Sequence, residues 1–111
     1  MMRLNLEREI LLEIKQKLGF DSNWNRNIEL SQWNDVQIHD NNSKFKVKIL
    51  DLSMLNLTVK IPTEIGQFVN LKYISLRNNE LTGKIPTEIA KLVNLNYLFL
   101  NINKLTGKIP T

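Results

Sequence analysis

The chain has 111 residues, a formal net charge of +4 and 42% hydrophobic residues, which is enough for one small domain of ordinary globular balance. It has no cysteine, so a disulfide framework and a thiolate metal site are both excluded, a composition that suits a reducing compartment. No apolar run approaches the roughly 20 residues of a membrane span, and the start alternates charge (Arg3, Glu7, Arg8, Glu9) where a secretion signal is apolar. The expected setting is therefore intracellular and cytoplasmic, or secreted if a signal peptide has been removed.

Asn5 to Leu18 reads as a helix, with Leu4, Leu11, Ile14 and Leu18 on one face and Glu9, Glu13, Lys15 and Lys17 mostly elsewhere. Asn5 is the candidate N-cap and Gly19 the C-terminal stop. Its acids are interleaved with its bases, which argues for a capping helix and against a membrane anchor. Phe20 to Val36 is irregular and rich in asparagine, with Trp24 and Trp33 as core groups. Val36 to Ile49 follows as a hairpin: Val36 and Ile38 alternate with polar residues, Asp40-Asn41-Asn42-Ser43 forms the turn, and Phe45, Val47 and Ile49 alternate on the return. His39, the single histidine, sits in that turn without a second histidine or a cysteine to share a metal or a proton.

From Val47 onward the spelling repeats every 24 residues. Leu52, Leu76 and Leu100 correspond, as do Leu57, Leu81 and Leu105, Ile61, Ile85 and Ile109, and Pro62, Pro86 and Pro110. A period between about 20 and 29 residues carrying L-x-x-L-x-L-x-x-N-x-L is the pattern of a leucine-rich repeat solenoid. Leu50 and Leu52, Ile74 and Leu76, and Leu98 and Leu100 point inward from short strands that pair in parallel. Asn79 and Asn103 offer side-chain amides to backbone groups stranded by the bend, and Gly83 and Gly107 permit a conformation or an approach that a Cβ obstructs. The first repeat has Leu55 and Val59 in those two slots, so it is expected to be less regular. Thr63 to Phe68 and Thr87 to Leu92 supply short helical or 3₁₀ segments on the outer face, with Ile65, Phe68, Ile89 and Leu92 inward.

With the Thr82-Gly83-Lys84-Ile85-Pro86 ending, the repeat resembles the plant-type leucine-rich repeat. Glu7 to Lys15, Trp24-Asn25 and Trp33 to Val36 are similar to that family's N-terminal cap. Ser31 and Ile38 stand where the family has cysteines, and Asp35 where it has glycine, so this cap is expected to be held by tryptophan packing rather than by a disulfide. The resemblance implies an α/β fold: a right-handed solenoid with a parallel concave sheet, a helical cap over residues 1–46, and about two and a half repeats over 47–111, the third incomplete. It also implies a non-catalytic module that presents its concave face to a protein or peptide.

By slot, the concave columns are Ile49, Tyr73 and Tyr97; Asp51, Ser75 and Phe99; and Ser53, Arg77 and Asn101. Tyrosine, phenylalanine and arginine are the types that dominate protein-binding hot spots, although stacked aromatics also stabilise neighbouring strands. The alternative reading is a structural or self-associating subunit, because Leu98, Leu100, Leu105 and Ile109 should leave an apolar edge at the end of the stack, suited to a homodimer or a larger assembly. Lys60, Lys84 and Lys108 form one column beside Glu64 and Glu88, which reads as a solvated outer face and not as a phosphate-tracking groove. No nucleic acid, membrane, cofactor or metal is expected. No catalytic site is expected either, since a triad lacks its histidine within reach, Glu64 and Glu88 have no cleft, and the four glycines are too scattered for a phosphate loop.

Overall fold

A computed structural model describes residues 6–25, 27, 30–38 and 47–107. The expected N-cap Asn5, the turn 40–43 with His39 and Asn41, Phe45, and Lys108, Ile109 and Thr111 lie outside these residues.

Helix α1, Leu6–Leu18, buries Ile10, Leu11, Ile14 and Leu18 along one stripe. Gly19 ends it at φ +74°, its N–H donating to Lys15 O at 2.8 Å, a conformation open to a residue without Cβ. The stripe also contains Glu7, fully buried, whose Oε1 accepts the Val47 N–H at 2.8 Å. A charged residue thus pins the helix to the first repeat strand. Trp24 lies under the cap, stacked on Trp33 at 5.5 Å, meeting Phe20 edge-on at 5.1 Å, with its indole N–H on Asn34 O. These contacts hold the cap together where the resembling family has a disulfide. Asp35, in the glycine slot of that cap, is at φ +66°.

Strand β1 (Val36–Ile38) runs antiparallel to β2 (Val47–Asp51), the expected hairpin, with an irregularity between Gln37 and Ile38. β2, β3 (Tyr73–Ser75) and β5 (Tyr97–Phe99) then pair in parallel, giving the order β1-β2-β3-β5. Between the strands run 3₁₀ segments Thr63–Gln67 and Thr87–Lys91, each entered from an extended proline, Pro62 or Pro86. The two segments touch closely: a Cβ on Gly66 would lie 2.6 Å from Glu88 O. Glycine is therefore required at 66 by the approach of the next repeat.

Asn79 fills its slot completely. Its Oδ1 accepts from Leu55 N (3.0 Å) and Leu57 N (3.1 Å), and its Nδ2 donates to Leu52 O, Leu76 O and Arg77 O. Asn103 does the same for the second repeat, accepting from Leu81 N and donating to Leu76 O and Leu100 O. Each asparagine therefore serves the repeat before it, which explains why the first repeat tolerates Leu55. That repeat is the least regular: it adds a left-handed residue, Asn56 (φ +57°), to the recurring one at Met54, Asn78 and Ile102.

A second, two-stranded parallel sheet joins β4 (Thr82–Lys84) to β6 (Lys104–Thr106), with Lys60 bridging to Thr82. It is absent from the sequence reading. Gly83 (φ +78°), at the centre of β4, and Gly107 (φ +83°), just past the end of β6, lie beneath the aliphatic stems of Lys60 and Lys84, whose Cγ atoms come within 3.1 and 3.2 Å of where a Cβ would be. Lys60 and Lys84 thus lay their stems over the next repeat's glycine, with the ammonium groups outward. The core runs unbroken from α1 through Leu50, Leu52, Ile65, Phe68, Ile74, Leu76 and Leu81.

Candidate recognition surface on the concave sheet

The sheet register places the predicted columns side by side: Ile49, Tyr73 and Tyr97 are Cα partners, as are Asp51, Ser75 and Phe99. Stacking at one residue per strand brings the three rings into mutual contact. Tyr73 lies 6.1 Å from Tyr97 and 5.5 Å from Phe99, and Tyr97 stacks on Phe99 at 6.2 Å with 8° between planes. The Arg77 guanidinium sits 5.9 Å above the Phe99 ring, a cation–π contact that holds a flexible cation in place. Tyr97 is 58% exposed, Tyr73 and Phe99 are half-buried, and Arg77 and Asn101 are open to solvent.

Ser75 departs from its expected role as a contact residue. It is 1% exposed, because the side chain is small and sits in the central strand between Asp51 and Phe99. Its hydroxyl accepts the Arg77 N–H at 3.5 Å and serves the sheet. Ile49 and Ser53 are half-buried, and Ser53 donates to Asp51 Oδ1 from its N–H (3.1 Å) and its hydroxyl (2.6 Å).

Asp51 faces a shallow cleft between β1 and β2 that Trp33, Asn34, Asp35, Gln37 and Ile49 also line. Burial, and then the charge of Asp51, raise the Asp35 carboxyl above its ordinary value. The sequence reading missed Asp35 as a surface group. The signal available was a carboxylate in a slot that wants glycine, beside the first concave column.

Elsewhere, Glu64 is not on a solvated face. Its carboxylate is largely covered and pairs with Lys17 of α1, so the outer acidic column begins as a tie between the cap and the first 3₁₀ segment of the repeats. The hydrogen bond from Lys17 lowers the Glu64 carboxyl, and the same bond raises the Lys17 ammonium. Among the described residues no three His, Cys, Asp or Glu side chains gather as metal ligands would. At the end of the stack, Leu98, Leu100 and Leu105 are half-buried, whereas Ile74, Leu76 and Leu81 in the same slots are fully covered. Ile102 and Val93 beside them are 69% and 82% exposed.

A leucine-rich repeat family profile matches residues 70–92. The fold is similar to the BIR2 ectodomain from Arabidopsis thaliana (TM-score 0.78, 28% identity, 94% of this chain and 58% of that one). It is also similar to the SOBIR1 receptor kinase ectodomain of that plant (0.74, 27%, covering 92% and 56%). The chain has the leucine-rich repeat fold of these plant ectodomains. A third similar structure is the Arabidopsis receptor kinase HAESA ectodomain, in complex with an N-terminally extended IDA peptide hormone ligand (0.75, 27%, covering 96% and 18%). This leucine-rich repeat protein thus spans little more than half the length of the first two and under a fifth of the third. No curated protein sequence matches it. No helix among the described residues is long and apolar enough to cross a membrane. The expected cytoplasmic setting finds no support in these relatives, which are receptor ectodomains.

Proposed function

We propose that this protein is a non-catalytic binding module whose concave sheet holds a protein or peptide partner, with Tyr73, Arg77, Tyr97 and Phe99 at the centre of the contact. The observation that carries the reading is the ring cluster: three aromatic side chains in contact on one face, with a stacked arginine and an open Tyr97 at its rim. Rigid rings offer a partner large amphipathic area at low entropic cost, and a cation held over one of them adds direction. The HAESA ectodomain, of similar fold, holds a peptide hormone. The test is alanine substitution. Tyr97→Ala should weaken a partner recovered by display by about 2 kcal/mol, roughly 30-fold, with an unchanged melting curve. A variant that melts early and binds with full affinity once folded would leave the rings as strand stabilisers only.

A second reading is favoured by the half-exposed leucines of the C-terminal edge. Leu52 N donates to Ser75 O and Leu76 N to Phe99 O, so Leu100 N–H occupies the next position of the series, with no further strand beyond it among the described residues. A second copy could pair there. Light scattering across a concentration series decides it: a dimer that Leu100→Asp abolishes supports association, and a monomer throughout removes it.

The ectodomain relatives favour a setting outside the cytosol. Asn56 of the Asn56-Leu57-Thr58 glycosylation acceptor pattern is exposed, whereas Asn41 of the second such pattern, Asn41-Asn42-Ser43, lies outside the described residues. Routed through a secretory pathway, the chain should gain a glycan that Asn56→Gln reduces.

A further inference from the structure

The concave sheet changes character along its length, and this inference, which rests on the recognition surface proposed above, uses the change to specify the ligand. At the β1–β2 end the cleft is walled by Trp33, Gln37 and Ile49 and holds two carboxylates, Asp35 and Asp51. The Asp51 N–H donates to Asp35 O at 2.9 Å, so the two residues are neighbours across the strands. Among the described residues no lysine or arginine pairs with either of them, and Asp51 is met only by the Ser53 N–H and hydroxyl. The arginine of the same face, Arg77, is committed to the Phe99 ring. Like charges are therefore held side by side in the cleft without relief from this chain, and burial, followed by the charge of Asp51, raises the Asp35 carboxyl.

At the other end of the sheet the surface is aromatic. Between the two ends lies buried Ser75, the central member of the Asp51–Ser75–Phe99 row, small enough to leave the middle strand low. Asp51 and Phe99 are two strand spacings apart, about 10 Å. An extended peptide covers that distance in about three residues.

We propose that the partner is an extended peptide segment lying across the strands, with a lysine or arginine over the Asp35–Asp51 cleft and an aromatic or large apolar side chain about three residues away against Tyr97 and Phe99. The ammonium or guanidinium relieves the aspartate repulsion, so the charge selects as well as attracts: an acidic side chain at that end meets two carboxylates. The apolar side chain completes the ring stack and shields the Arg77 contact from water.

The experiment is a random peptide display selection on the intact 111-residue chain, followed by affinity measurements on the recovered peptides as synthetic probes. Enriched peptides should carry Lys or Arg about three positions from Trp, Tyr or Phe. The double variant Asp35→Asn, Asp51→Asn should bind them about 10-fold more weakly and melt no lower than the parent, and raised salt should weaken the parent but not the variant. Both asparagines keep side-chain acceptors, and Asn is at ease at the positive φ of position 35, so the variant is expected to fold. Peptides that depend on Tyr97 yet lack a basic residue and bind the double variant equally would overturn this inference and leave concave recognition standing. A selection yielding no peptide that Tyr97→Ala weakens would overturn both.

Discussion

Replacing Asn79 with alanine removes five hydrogen bonds, but their cost depends on which backbone groups have a second partner. Leu76 O still receives Asn103 Nδ2 and Arg77 O still receives the Met54 N–H, so these two remain satisfied. Leu55 N, Leu57 N and Leu52 O do not, and Leu57 and Leu52 are buried. Each buried group left without a partner costs about 1–3 kcal/mol, so Asn79→Ala should lose about 3–5 kcal/mol, a large share of the roughly 5–15 kcal/mol that a domain has. Asn103→Ala is the matched control, since the same letter in the same slot strands Leu81 N and Leu100 O, whose bonds to Asn103 are only partly buried where those of Asn79 to Leu57 and Leu52 are buried. Water can take over there, and the loss should be about 1 kcal/mol. Urea titration followed by the fluorescence of Trp24 and Trp33 measures both. Equal losses in the two variants, or an Asn79→Ala loss below about 1 kcal/mol, would refute the assignment of the asparagine to the preceding repeat's buried groups.

Three further outcomes follow from the same geometry. Ile102 holds a β-branched side chain at φ +58° while 69% exposed, where the second repeat has Asn78 at φ +57°; Ile102→Asn should therefore stabilise by about 1 kcal/mol, seen as a melting rise of roughly 4 °C. Gly66→Ala should destabilise by about 1–3 kcal/mol in the same titration, because its Cβ meets Glu88 backbone and no flexible side chain can yield. The pH dependence has two opposing parts, readable from melting temperatures between pH 3 and 8. Glu64 is lowered from 4.5 by its bond from Lys17, so its stabilisation is present above that value and is lost as pH falls through the folded one; Lys17→Met should abolish this loss. Asp35 is raised from 3.8, so the folded state gains relative stability as pH falls through the raised value, a gain that Asp35→Asn should remove.

Much of the scaffold is legible because a 24-residue period repeats each structural demand. The columns Ile49–Tyr73–Tyr97 and Asp51–Ser75–Phe99 follow from that period, since parallel strands in register must align equivalent slots. The helix is legible from its apolar stripe, and the hairpin from its alternation. What escapes the sequence is set by size and by distance along the chain. Ser75 is buried by the bulk of its neighbours and not by its own hydropathy. Glu7 looks like a surface acid until its partner, the Val47 N–H, is brought to it from 40 residues away. Glu64 looks solvated until Lys17 of the cap helix arrives from 47 residues away. The β4–β6 sheet has three residues per strand, with Gly83 at the centre of one and Gly107 just past the end of the other, so neither alternation nor propensity announces it; stacking alone creates it. The proposal of a basic group in the partner rests on Asp35 sharing a cleft with Asp51 and Ile49, which its place in the chain does not announce.

The most direct test of the central claim is a ¹⁵N–¹H NMR titration of the intact chain with the tightest selected peptide. The account predicts shift changes concentrated at Ile49, Asp51, Tyr73, Arg77, Tyr97 and Phe99, with the outer 3₁₀ segments Thr63–Gln67 and Thr87–Lys91 unmoved. Changes gathered instead on Leu100 to Leu105 or on the outer segments, with the ring-bearing strands silent, would contradict it.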